Sequence, residues 1–183
     1  MRHRTIASPF FAAALLTAAL VSTGQKIQAA PTEDPKEITQ LLDDVMLQVA
    51  DLQRDSDELE SFTRSNLSWQ SHAEELTRIG DQINTLGKTL QKLESMRSSA
   101  SPWQREAMDR IIPLAKKLAA NTTAAIDHLN KNPTHLNDPQ YQEYLKSNAE
   151  VARNLSSLVK DFVEYGKTKS TLETLEARLE VRK

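Results

Sequence analysis

Apolar residues in this chain recur at alternating intervals of four and three, in four separate stretches. The first seam is Ile38, Leu42, Val45, Val49, Leu52, Ser56 and Leu59. The second is Trp69, His72, Leu76, Ile79, Ile83, Leu86, Leu90 and Leu93. The third is Ala107, Ile111, Leu114, Leu118, Asn121 or Thr122, Ala125 and Leu129. The fourth is Tyr144, Asn148, Val151, Leu155, Leu158, Phe162 and Tyr165, continuing through Leu172 and Leu179. A strand alternates with period two, whereas spacings of three and four place residues along one side of a helix. A seven-residue period held this strictly predicts helices that cross like a left-handed coiled coil.

Punctuation between the seams sets the boundaries. Asp34-Pro35-Lys36-Glu37, Ser101-Pro102-Trp103-Gln104 and Asp138-Pro139-Gln140-Tyr141 each put a capping side chain before a proline. The cap accepts a hydrogen bond from an unpaired backbone N–H, and proline has no N–H to lose at the first helical position. Glu37 and Gln104 complete capping boxes. The second start is weaker, and Ser68 before Trp69 is the choice over Ser71 with Glu74. Helices are therefore expected over about 35–64, 69–97 and 102–130, with a fourth from about 139. The first three are each about 29 residues, or roughly 43 Å long. Matched lengths and short links predict an all-α, up-down-up-down antiparallel four-helix bundle. The fourth helix is longer by about 13 residues. Gly166 and Thr168-Lys169-Ser170-Thr171 weaken it where the others stop, so 170–183 is expected to overhang, fray or pack on another chain.

The N-terminus reads as a leader. Met1-Arg2-His3-Arg4 is basic, Ile6 to Val21 is mostly apolar, and small or polar residues follow to Ala30. That is the pattern of a secretory signal peptide. Cleavage is expected after Gly24 or after Ala29, leaving a single domain over 30–183. The apolar run falls short of the ~20 residues that span a bilayer, so an uncleaved anchor is the lesser reading. The leader carries bases and no acid, so its removal makes the remainder more acidic than the chain's net −2. The expected location is the bacterial periplasm or the exterior. No later segment is apolar enough to span a membrane.

The stretch from Leu67-Ser68-Trp69 to Asp109-Arg110-Ile111 and Pro113-Leu114, centred on Ser101-Pro102-Trp103-Gln104, resembles a group of uncharacterised exported helical proteins of bacteria. The resemblance covers roughly residues 35–165. It implies export and helicity, and carries no activity, ligand or partner.

Composition excludes several chemistries. The absence of cysteine removes disulfides, thiol nucleophiles, thiolate zinc sites and c-type haem attachment. Near-neutral charge without a basic cluster speaks against nucleic acid. There is no Gly-rich phosphate loop, nucleophile elbow or His-Glu-x-x-His, so no enzyme activity is expected.

Four features remain as candidates. Ala73, Gly80 and Gly87 recur every seven residues on one flank of the second helix. They are expected to let another helix backbone approach closely, either within the bundle or as a groove for a partner. Ser56, Asn121 with Thr122, and Asn148 occupy seam positions at one level of an antiparallel bundle. A buried polar layer there fixes register or forms a small polar pocket. His72 and His128 lie one layer higher, near Phe62, Trp69, Tyr141 and Tyr144. They are metal candidates of low weight, because packed aromatics explain them better and no Glu-x-x-His pair accompanies them. Pro113 should bend the third helix. The expected function is that of a non-catalytic exported bundle acting by protein-partner binding, by self-association or as a structural envelope component, with no cofactor. The alternative is a metal- or haem-binding carrier using His72 and His128.

Overall fold

A computed structural model describes residues 34–65 and 67–179. The leader and both cleavage positions lie outside the described residues, as does the end of the tail from 180. Within them the chain is helical, with no strand. Four long helices account for it: α1 (Lys36–Ser61), α2 (Trp69–Ser95), α3 (Pro102–Lys131) and α4 (Pro139–Arg178). Short 3-10 turns at Phe62–Arg64 and Arg97–Ser99 finish the first two. α1 packs on α2 and α4, and α3 packs on the same two helices. The result is a four-helix bundle around one continuous core.

The α1 seam is buried throughout, Ser56 included. In α2 the interior residues are His72, Leu76, Ile79, Leu86, Leu90 and Leu93. Trp69, expected on that seam, is instead 45% exposed, because it occupies the first helical position, where little chain lies opposite. In α4 the interior line is Tyr141, Leu145, Asn148, Ala152, Leu155, Val159, Val163 and Gly166. The expected seam through Leu158, Phe162 and Tyr165 lies to one side of it. Leu158 and Phe162 are half-buried, and Tyr165 is 54% exposed. Asn148, Val151 and Leu155 of that seam are buried as expected, and beyond them the interior line turns to smaller residues, ending at Gly166 against Trp103.

Helix starts follow the punctuation with one correction. Ser68 caps α2 by accepting from the Ser71 N–H, and Asp138 caps α4 by accepting from the Gln140 N–H at 2.8 Å. At α3 the Ser101 N–H donates to Gln104 Oε1 at 3.0 Å. Asp34, however, does not cap α1, which starts from Pro35 without a side-chain cap. Its carboxylate accepts from Trp103 Nε1 at 2.8 Å and from Lys169 Nζ at 3.0 Å. Gln104, fully buried, donates to Thr39 Oγ1 at 3.2 Å. One end of the bundle is thus tied by cross-helix bonds. α3 runs unbroken through Pro113, which lies exposed.

Candidate functional site

The small-residue column on α2 does not do what its spacing predicts inside the bundle. A Cβ built at Gly80 or Gly87 meets nothing within 4 Å, so no other helix approaches there. Close approach occurs elsewhere, and to a side chain. At Gly166 on α4, a Cβ would stand 2.7 Å from the Trp103 ring. Gly87 opens instead onto a surface groove between α2 and α3 of ≈ 630 Å³. Ile83, Leu86 and Leu90 line one wall, and Met108, Ile112 and Pro113 the other. The absent side chain at Gly87, together with Ala115 and Ala119, leaves the floor open. The two acids at its mouth are already matched. Arg97 donates to Glu94 at 2.8 Å and to Asp109 at 2.7 Å, joining the 3-10 turn to both helices. What the groove offers is apolar surface within a fixed charged rim, which suits the side of an amphipathic helix.

The polar layer forms in part. Asn148 Nδ2 donates to Thr122 Oγ1 at 3.0 Å across the α3–α4 contact, and both residues are buried. Asn121 points to one side and donates to Ser147 Oγ at 2.7 Å, so Thr122 and not Asn121 holds the seam position. Ser56 Oγ and Asn148 Oδ1 are buried without a partner. Such groups cost free energy wherever they lack a hydrogen bond, so their burial here is not a source of stability.

The two histidines meet on Tyr141. His72 is buried, and its Nδ1 lies 3.0 Å from the Tyr141 hydroxyl. His128 is only half-buried, and its ring stacks on Tyr141 at 5.5 Å between centroids. Phe62 packs edge-on against His72 at 5.3 Å. Burial lowers the His72 pKa and raises that of Tyr141, favouring the neutral form of each. His72 is therefore one half of a side-chain hydrogen bond in a packed aromatic cluster that closes this end of the bundle.

One charged cluster escapes the heptad reading. Asp55 and Glu75 are buried carboxylates flanking the α1 and α2 seams. With Glu58 they offer oxygens within 4.8 Å of one another, the one such three-residue group among the described residues. Arg78 fills it, bonding Glu75 and lying 3.2 Å from Asp55, while Gln82 Nε2 donates to Asp55 at 2.7 Å. Burying such charges is tolerable because each is paired and hydrogen-bonded. The Glu75–Arg78 spacing of three is the sequence signal that points to it.

No protein-family model, no curated protein and no solved structure matches this chain. Among the described residues no helix is long and apolar enough to cross a membrane.

Proposed function

We propose that this protein is an exported, non-catalytic helical bundle that binds a protein partner through the groove between α2 and α3. The observation that carries the reading is the groove itself, an apolar cleft held open where Gly87 lacks a side chain. The accessible lining of this groove is more apolar than polar and is rimmed by charge, as in sites that take apolar side chains. The rim carboxylates are engaged by Arg97, which favours recognition over proton transfer. Export, to the periplasm or beyond, rests on the basic head and apolar run before Ser22.

The reading takes the four helices to run alternately up and down. Three contacts support this. Glu37, in the first turn of α1, pairs at 2.9 Å with Lys92, in the last turn of α2. Asp57, late in α1, pairs at 2.8 Å with Arg153, in the first half of α4. Lys169, late in α4, reaches Asp34, just before α1. With Glu37→Cys and Lys92→Cys in one chain, a short flexible bismaleimide, which reaches further than a disulfide, should join the two thiols within it; no intrachain product sinks the arrangement.

The functional reading is tested with a photo-crosslinking residue placed at Gly87, and at Asp44 as an exposed position on α1. In cells making the protein, adducts are expected from position 87 and not from 44. Equal adducts at both positions, or none at 87, would reject the groove as a binding site.

A further inference from the structure

The last part of α4 carries a second apolar surface that the bundle does not use. Tyr165, Leu172, Leu175 and Leu179 are 54%, 52%, 37% and 67% exposed. Their intervals of seven, three and four place them along one side of the helix. They are exposed because their neighbour stops. α3 begins at Pro102, and Trp103 sits against Gly166, so α4 continues for about 12 residues, or ~18 Å, with no α3 beside it. The other side of the same segment, at Ser170, Glu173 and Ala177, faces the start of α1 across a shallow cleft. Among the described residues, the leucine stripe is the side left without a partner.

This stripe and the groove match in chemistry and in length. The groove runs from Ile83 to Glu94 on α2, ~17 Å of helix. A chain's own tail cannot enter its own groove, because α4 is one unbroken helix packed on α1 and α3 and leads away from the bundle. Two tails alone offer fewer than two heptads, too little to hold a coiled coil together. We infer that two copies of this chain associate reciprocally, the Leu172–Leu175–Leu179 stripe of each seated in the α2–α3 groove of the other. The inference rests on the groove being a binding site and names its occupant. A twofold axis satisfies both contacts at once, as in most homodimers. Each contact covers a strip about 18 Å by 10 Å on two surfaces. Two such contacts come to roughly 700 Å² of accessible area, below the size of a stable interface, so the association expected is weak, reversible and seen at high concentration.

The absence of native cysteine makes the test clean. Chains carrying Gly87→Cys are mixed with differently tagged chains carrying Leu172→Cys or Leu175→Cys, and oxidised. Mixed disulfides between groove and tail are expected to exceed either homodimer. Tail–tail disulfides alone, or no cross-link with any tail position, would overturn the inference. Analytical ultracentrifugation of the intact chain should show a concentration-dependent dimer. A chain stopped after Ser170 should lose it with no change in the helical circular dichroism of the bundle. An intact chain that stays monomeric overturns the inference in every case. If it stays monomeric while photo-crosslinking at position 87 captures another protein, the groove remains a binding site and only its occupant is wrong. If position 87 captures nothing either, both readings fall together.

Discussion

One methyl group separates the helical glycines into two kinds. At Gly166 the added carbon would strike Trp103, a rigid ring whose indole N–H is held by Asp34. The ring cannot swing aside without breaking that bond, so Gly166→Ala should cost about 1–3 kcal/mol, as overpacked sites do. At Gly80 the same substitution meets open space. Gly80→Ala should stabilise by about 0.5–1 kcal/mol, through the better helix propensity of alanine. Urea denaturation of the two variants checks both signs, and equal effects would contradict the packing described. Asp34 adds a pH dependence to the same clasp. Burial pushes its carboxyl pKa up, but hydrogen bonds from Trp103 and Lys169 outweigh this and hold it below the usual range. The clasp is therefore fully stabilising above the ordinary carboxylate pKa and is lost as pH falls through the depressed value. None of this was legible locally. Asp34-Pro35 has the pattern of a helix cap, and only the arrival of α3 and α4 turns the carboxylate towards Trp103.

At the scale of the element, the seven-residue period located all four helices and the α1 interior apart from Leu41 and Asp55, because apolar spacing is a local property. In α4 it placed Asn148, Val151 and Leu155 in the interior and then drifted, because residue size misleads. Tyr144, Leu158 and Phe162 are larger than Ala152 or Gly166, yet the interior line needs small residues where α1 and α3 crowd it. Tyr141, expected beside the two histidines, stands in the first turn of α4. Here it lies fully buried, joined to His72. That junction has a pH consequence. The folded-state pKa of His72 lies below its ordinary value because burial opposes the charge. Above about pH 6.5 the histidine is neutral folded and unfolded, and its environment is fully stabilising. Below that, the unfolded chain takes up a proton that the folded chain resists, so stability falls until the lowered folded pKa is reached. Melting temperature measured across this window should drop more steeply for the parent than for His72→Gln. Parallel curves would mean that His72 titrates as it does in water.

Over the whole molecule, specificity of alignment comes from few groups. The heptad seams are mostly interchangeable aliphatics, so sliding one helix by a heptad against another changes little apolar contact. The Asn148–Thr122 pair marks one alignment of α3 on α4. Thr122→Val keeps the shape and removes the hydroxyl, leaving a fully buried amide without that bond; the expected loss is about 1–3 kcal/mol in chemical denaturation. A neutral result would mean that the amide finds another partner. The burial of Ser56 and Asn148 was legible from their seam positions. The groove was not, since it depends on where Gly87 and Pro113 face each other across two helices. The two tryptophans also lie at different ends of α1. Trp69 is on the first turn of α2, close in sequence to His72, which packs on Phe62 just past the end of α1, whereas Trp103 is bonded to Asp34 just before its start. Trp69 is 45% exposed and Trp103 half-buried, so their emission maxima and quenching by iodide should differ. With Trp69→Phe and Trp103→Phe, each end gains its own fluorescent reporter, and the order in which the two signals change on dilution from denaturant would tell which end of the bundle forms first.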